Sequence, residues 1–67
     1  MAQYVIIREL ITGRVDEIDD NKWRVSIFQF TEDRMHVDLV ATHLIEGDPF
    51  EAFKGLIQTL NEFSLGA

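Results

Sequence analysis

The 67-residue sequence has no cysteine, a single proline and only six lysine or arginine residues. Without cysteine no disulfide can form, and no cluster of metal-binding residue types takes its place. A chain of this length buries only about 60% of its unfolded surface when it folds. The hydrophobic core must therefore suffice alone or be shared, which favours self-association.

Long hydrophobic runs are also absent. The longest is Tyr4 to Ile7, far short of the roughly 20 residues that a membrane helix needs. The first residues show no basic stretch followed by an apolar one, so we expect no membrane association and a cytoplasmic location. Apolar residues nevertheless make up 46% of the chain, which separates it from disordered sequences and predicts that it folds.

Basic residues are outnumbered by acidic ones, and the formal net charge is −6. Such a chain repels a phosphate backbone, so nucleic acid is an unfavourable partner. Acidity of this size is typical of a solubilising surface. The alternative is an acidic surface that contacts a basic protein, with six residues at two turns as candidate contacts. These are Asp16, Glu17, Asp19, Asp20, Glu32 and Asp33.

Three strand-like segments come first. Residues 3–18 are rich in β-branched side chains, but Arg8 and Glu9 interrupt the pattern and Gly13 lies inside it. This predicts either one long strand or, equally, a bulge near Gly13 or a division into two short strands. Residues 22–30 and 35–45 alternate as further strands, with a polar turn at 19–21 and a hairpin loop at 31–34.

A helix is predicted over residues 49–64. Asp48 is placed to cap it, Pro49 suits its first position, and Glu51 completes a D-x-x-E capping pattern. Apolar residues recur at spacings of three and four along one stripe. The stripe consists of Phe50, Phe53, Leu56, Ile57, Leu60 and Phe63. Phe53 and Leu60 lie near its centre, so both should be in the core.

The elements together predict an α+β fold. Three antiparallel strands, or four if the first segment divides, form a meander, and the C-terminal amphipathic helix packs on one face of the sheet. Whether the loop after Phe30 has an even or an odd number of residues decides which side chains of the two strands that it joins lie on the same face of the sheet. An even loop leaves one apolar set uncovered by the helix: Trp23, Val25, Ile27 and Val40. An odd loop leaves the other: Phe28, Phe30, Val40 and Leu44.

No residue pattern indicates chemistry. His36 and His43 are seven residues apart on one strand, so without a bulge they point to opposite faces and cannot share a metal. The acidic run 16–20 lacks the ligand spacing of a calcium loop. Ser26 and Ser64 have no nucleophile context. We therefore predict no catalytic residue, no cofactor and no metal, and a protein that is not an enzyme.

Three functions are compatible with this description. The first is a non-enzymatic interaction module that self-associates as a homodimer, through the sheet face that the helix leaves uncovered or through an edge strand. The second is a small acidic inhibitor or adaptor that occupies a basic site on a partner protein. The third is a weak single-stranded nucleic-acid platform that uses Trp23, Arg24, Phe28 and Phe30.

Overall fold

The computed structural model describes residues 2–66 of the chain, and the side chains of residues 2–63. Four strands precede one helix: β1 (Gln3–Ile7), β2 (Ile11–Asp19), β3 (Lys22–Phe30), β4 (Val37–Glu46) and α1 (Pro49–Gly66). The strands form one antiparallel sheet in the order β1-β2-β3-β4. The predicted α+β meander with a C-terminal helix is confirmed, in its four-stranded form.

The first predicted strand segment divides into β1 and β2. The chain reverses at residues 8–10, where the Arg8 amide donates to the Ile11 carbonyl over 2.8 Å. Gly13 pairs regularly with Ile6 in the middle of this hairpin. The irregularity of β2 lies further along, between Glu17 and Asp19, just before the turn into β3. Of the three alternatives for residues 3–18, the division into two strands is correct, and one long strand and a bulge near Gly13 are wrong.

Gly13 is required by the close approach of the helix to the sheet. A Cβ atom at this position would lie 2.6 Å from Leu56 Cδ1 and 2.9 Å from Leu60 Cγ. Any larger residue would push α1 outward. Gly55 lies on the sheet-facing side of α1, and a Cβ atom added there would overlap the Cδ1 atom of Ile45 in β4.

The turn between β2 and β3 is tied to the start of the helix. Asn21 adopts a left-handed conformation with φ of 55°, which asparagine tolerates well. Its carbonyl accepts the Gly47 amide over 2.8 Å, and the Trp23 indole donates to the Gly47 carbonyl over 3.0 Å. At the helix start, Asp48 Oδ1 accepts the Glu51 amide over 2.9 Å, as the capping pattern predicts.

The core lies between α1 and one face of the sheet. Its fully buried members come from β2, β3 and α1: Val15, Trp23, Val25, Ile27, Ala52, Leu56 and Leu60. The helix therefore buries a face centred on Leu56 and Leu60. Phe53 is 39% exposed and Phe50 is 70% exposed. The placement of Leu60 in the core is correct, whereas that of Phe53 is wrong, because the helix is rotated towards its small residues.

Among the side chains that the structure describes, Thr59 is the buried polar group that α1 packs against the sheet edge. Its hydroxyl donates to the Gly55 carbonyl over 2.9 Å and lies 3.2 Å from His43 Nε2. The second contact connects the outer strand β4 to α1.

Candidate interaction face

The pairing of β3 with β4 changes register part-way along. Phe30 pairs with Val37 and Phe28 with Leu39, but Ile27 pairs with Ala41, so the shift falls at Val40. Neither of the two registers considered from the sequence therefore holds along the whole pair. The even register applies next to the loop, and the odd register applies beyond Val40.

The bulge separates the two candidate sets. Trp23, Val25 and Ile27 are buried beneath α1, so this set does not form an uncovered face. Phe28 and Phe30 lie on the opposite face and are half-buried, because successive side chains of a strand point to opposite sides. Val40 lies at the register shift and is 37% exposed.

We call the sheet surface opposite α1 the open face. The strand pairs and the alternation of side chains assign its members. They are Gln3, Val5, Ile7, Thr12, Arg14, Asp16, Arg24, Ser26, Phe28, Phe30, Val37, Leu39, Thr42 and Leu44. Helix α1 contacts β2, β3 and β4 from the other side. Within residues 2–66, no element covers the open face.

One half of the open face is apolar. It lies at the end where β3 runs into the β3–β4 loop, and Phe28 and Phe30 form its half-buried centre. Around them Ile7 is 78% exposed, Val37 51% and Leu39 58%. Five apolar side chains from three strands, interrupted on β2 by Thr12, thus form a patch of the kind that soluble monomers seldom present to water.

The other half of the open face carries its charged and most of its polar side chains, together with the exposed apolar residues Leu44 and Val5. Asp16 accepts hydrogen bonds from Arg14 Nε over 2.9 Å and from Gln3 Nε2 over 2.6 Å. The guanidinium of Arg14 also lies 5.5 Å from the ring centre of Phe28, within cation–π range. Arg24 pairs with Asp16 across the strands. These three charged residues give this face a small positive balance, in contrast to the chain's net charge of −6.

The six candidate acidic contacts do not form one surface. Asp16 belongs to the open face, and Glu17 Oε1 accepts the Ala2 amide over 3.3 Å. Asp19 and Asp20 lie at one end of β3, and the other two lie at its opposite end. The nine residues of β3 separate the two groups by about 30 Å. A single basic groove on a partner would contact only one group.

Asp33 organises the β3–β4 loop. Its carboxylate accepts hydrogen bonds from the Thr31 hydroxyl and from the Met35 amide. These bonds, chiefly the one from Thr31, hold the pKa of Asp33 below its ordinary value of 3.8. The next residue, Arg34, has a left-handed backbone with φ of 59°. The loop is therefore a defined turn and places Arg34 beside the apolar half.

A pocket opens at the corner of the apolar half, between the β1–β2 hairpin and the β3–β4 loop. It has a volume of about 540 Å³ and is lined by Ile7, Arg8, Glu9, Thr12, Phe30 and Arg34. Sequence reasoning missed this pocket. The Arg8-Glu9 interruption was its only signal, because a short β1 leaves the sheet corner unfilled. The lining residues come from four separate segments, which only the strand pairing brings together.

Among residues 2–66, no three histidine or carboxylate side chains are close enough to hold a metal ion. No helix in this part of the chain is long and apolar enough to cross a membrane. Comparison with family models, with curated proteins and with solved structures finds no significant match to this chain. The geometry of the open face is therefore the basis for any functional assignment.

Proposed function

We propose that this protein is a non-enzymatic interaction module that self-associates as a homodimer through the open face. The observation that carries the proposal is the exposed apolar patch around Phe28 and Phe30. Apolar surface of this kind gains free energy when it leaves water, by about 25 cal/mol per Å². A second copy supplies an identical patch, so one surface accounts for both sides of the interface.

The size of the open face fits a small, weak dimer. Four strands spaced about 4.8 Å apart, each contributing about 25 Å of length, present roughly 480 Å² per copy. Two copies then bury about 960 Å² in total, in the range of weak and transient protein interfaces. The molecule's extents of 38 × 22 × 15 Å are compatible with two sheets stacked face to face.

The charge pattern selects one of two symmetric arrangements. A twofold axis across the strands would place the apolar half of one copy on the polar half of the other. A twofold axis along the strands places the apolar halves of the two copies on each other, and it places β2 of one copy over β3 of the other. Asp16 of each copy then faces Arg24 of its mate, since the two residues pair at the same level of the sheet. The interface would therefore contain two such pairs of opposite charge.

Sedimentation of two matched variants tests the proposal. Leu39→Asp places a charge in the apolar half, whereas Phe50→Asp makes the same change at an exposed helix residue outside the open face. We expect the wild type and Phe50→Asp to sediment as dimers at about 100 µM and Leu39→Asp as a folded monomer. Circular dichroism checks that each variant is folded. A monomeric wild type, or a Leu39→Asp protein that still dimerises, would contradict the proposal.

A second candidate is a platform for single-stranded nucleic acid. Phe28 and Phe30 lie on an inner strand of the open face, with Arg14 and Arg24 both on the side towards the start of β3, and ring faces beside guanidinium groups can stack bases. Trp23 cannot take part, since it is 1% exposed. Its fluorescence is therefore a poor reporter, and anisotropy of a labelled oligonucleotide at low salt is the appropriate assay. Binding that is lost in Phe28→Leu would favour this candidate.

A further inference from the structure

The corner pocket and the exposed apolar pair Val37 and Leu39 lie on opposite lateral edges of the sheet. The pocket is bounded by Ile7 of β1 and Thr12 of β2. Val37 and Leu39 project from β4, at the other edge. Ile7, Thr12, Phe28 and Leu39 occupy the same level across the four strands, as their successive pairings show. The face thus has a depression and a projection at matching heights.

A twofold axis along the strands superimposes these two features. Rotation about this axis exchanges the β1 edge of one copy with the β4 edge of the other, while each level stays in place. Leu39 of the second copy then lies over Ile7, and Val37 of the second copy lies over the vacant corner beyond the end of β1. Sheets that pack face to face are rotated by about 30°, which displaces these contacts but does not separate them.

We infer that the corner pocket is the socket for Val37 and Leu39 of a second copy. The inference rests on the proposed homodimer and specifies its contacts. The pocket's volume of about 540 Å³ and its Ile7, Thr12 and Phe30 lining suit branched aliphatic side chains. The fit is reciprocal, because each copy offers one socket and one projection. The dimer therefore contains two such contacts.

The charges around the pocket are mixed. The same rotation brings the β3–β4 loop of the second copy, with Glu32 and Asp33, towards the β1–β2 hairpin and Arg8. Arg8 lines the pocket and also donates to Asn61 of α1 over 2.9 Å, which draws its guanidinium towards the helix side of the sheet. The acidic loop residues attract Arg8, whereas Glu9 at the same rim repels them. The apolar contact, and not the charge at the rim, therefore provides the fit.

Engineered cysteines test the socket directly, because the chain contains none of its own. Ile7→Cys combined with Leu39→Cys should form a covalent dimer on mild oxidation. Within one chain the two positions lie on the outermost strands, about 14 Å apart, beyond the roughly 7 Å limit for a disulfide. A control pair, Gln3→Cys with Ile7→Cys, reports the axis across the strands. These two positions are about 13 Å apart within β1.

The readout is the mass on a non-reducing denaturing gel, with sedimentation of the reduced protein alongside. A doubled mass for the first pair, absent from both single-cysteine variants, supports the socket. A doubled mass for the control pair alone overturns the socket and leaves the open-face homodimer standing. Reduced protein that sediments as a dimer while neither pair cross-links also overturns the socket. Reduced protein that sediments as a monomer overturns the homodimer and the socket together.

Discussion

Two residues of the helix test how α1 is seated on the sheet. Both Phe53 and Leu60 belong to the apolar stripe, but Leu60 is fully buried while Phe53 is 39% exposed. Phe53 packs edge-on against Tyr4, with ring centres 6.0 Å apart. Replacing each residue with alanine should therefore reverse the order of cost that side-chain size alone would predict.

The expected magnitudes follow from burial. Leu60→Ala removes a side chain enclosed by the core and leaves a cavity, which costs about 3–4 kcal/mol. Phe53→Ala removes a partly buried ring at the rim of the core, where water can fill the space. Lost apolar burial and the lost contact with Tyr4 together cost about 1.5–2.5 kcal/mol. The smaller side chain should thus be the more costly deletion, by about 1–2 kcal/mol.

Urea unfolding followed by circular dichroism measures both costs. A domain of this length has a total stability of about 3–10 kcal/mol, so Leu60→Ala approaches complete unfolding. Sulfate, which strengthens apolar burial, keeps all three proteins folded at zero urea for a common baseline. The reasoning is refuted if Phe53→Ala lowers the free energy of unfolding as much as Leu60→Ala does, since α1 would then be rotated towards Phe53.

Two further predictions concern Gly55 and Asp33. In an exposed helix Gly55→Ala would stabilise by about 1 kcal/mol, but here the new Cβ meets Ile45 Cδ1, the end of a flexible side chain that must turn away, so we expect Tm to rise by less than this gain predicts. Ile45→Val removes that atom, and in its background the same substitution should raise Tm by the full amount. For Asp33, the pKa lies below 3.8 in the folded protein. Its ionised form therefore stabilises the fold above the unfolded pKa, and this contribution is lost as the pH falls below 3.8 through the folded pKa. Urea midpoints measured from about pH 6 to about pH 2.5 should show a smaller acid loss for Asp33→Asn than for the wild type.

Much of the fold follows from local signals in the sequence. The alternation of KWRVSIFQF defines β3, and the capping pattern at Asp48 defines the start of α1 at Pro49. Both signals depend on a few neighbouring residues, so these elements can be predicted without knowledge of tertiary contacts. The division of residues 3–18 was only one of the alternatives that the sequence left open, although Arg8 and Glu9 break the apolar pattern where the hairpin forms.

The rotation of α1 could not be predicted from hydrophobic periodicity. The helix contacts the sheet through Ala52, Gly55 and Thr59 as well as through its leucines. Small residues carry little weight in an apolar stripe, but they let two backbones approach closely. Gly55 was visible as an anomaly within the helix, and its explanation required the position of Ile45, which is ten residues away in the sequence and belongs to another element.

The bulge at Val40 explains which side chains of β4 lie on the open face. With a constant register, the alternation of β4 would place all of its odd-numbered residues on one side of the sheet, namely Val37, Leu39, Ala41, His43 and Ile45. The shift lets β4 place Val37 and Leu39 on the open face near the loop and still direct Ala41 and Ile45 to α1. Because of this one extra residue, β4 contributes side chains to the core at one end and to the apolar patch at the other. A bulge leaves no mark in the alternation of a single strand. The apolar half of the open face could therefore be identified only from the observed pairing of β3 with β4, whereas the core could be predicted in outline from the sequence.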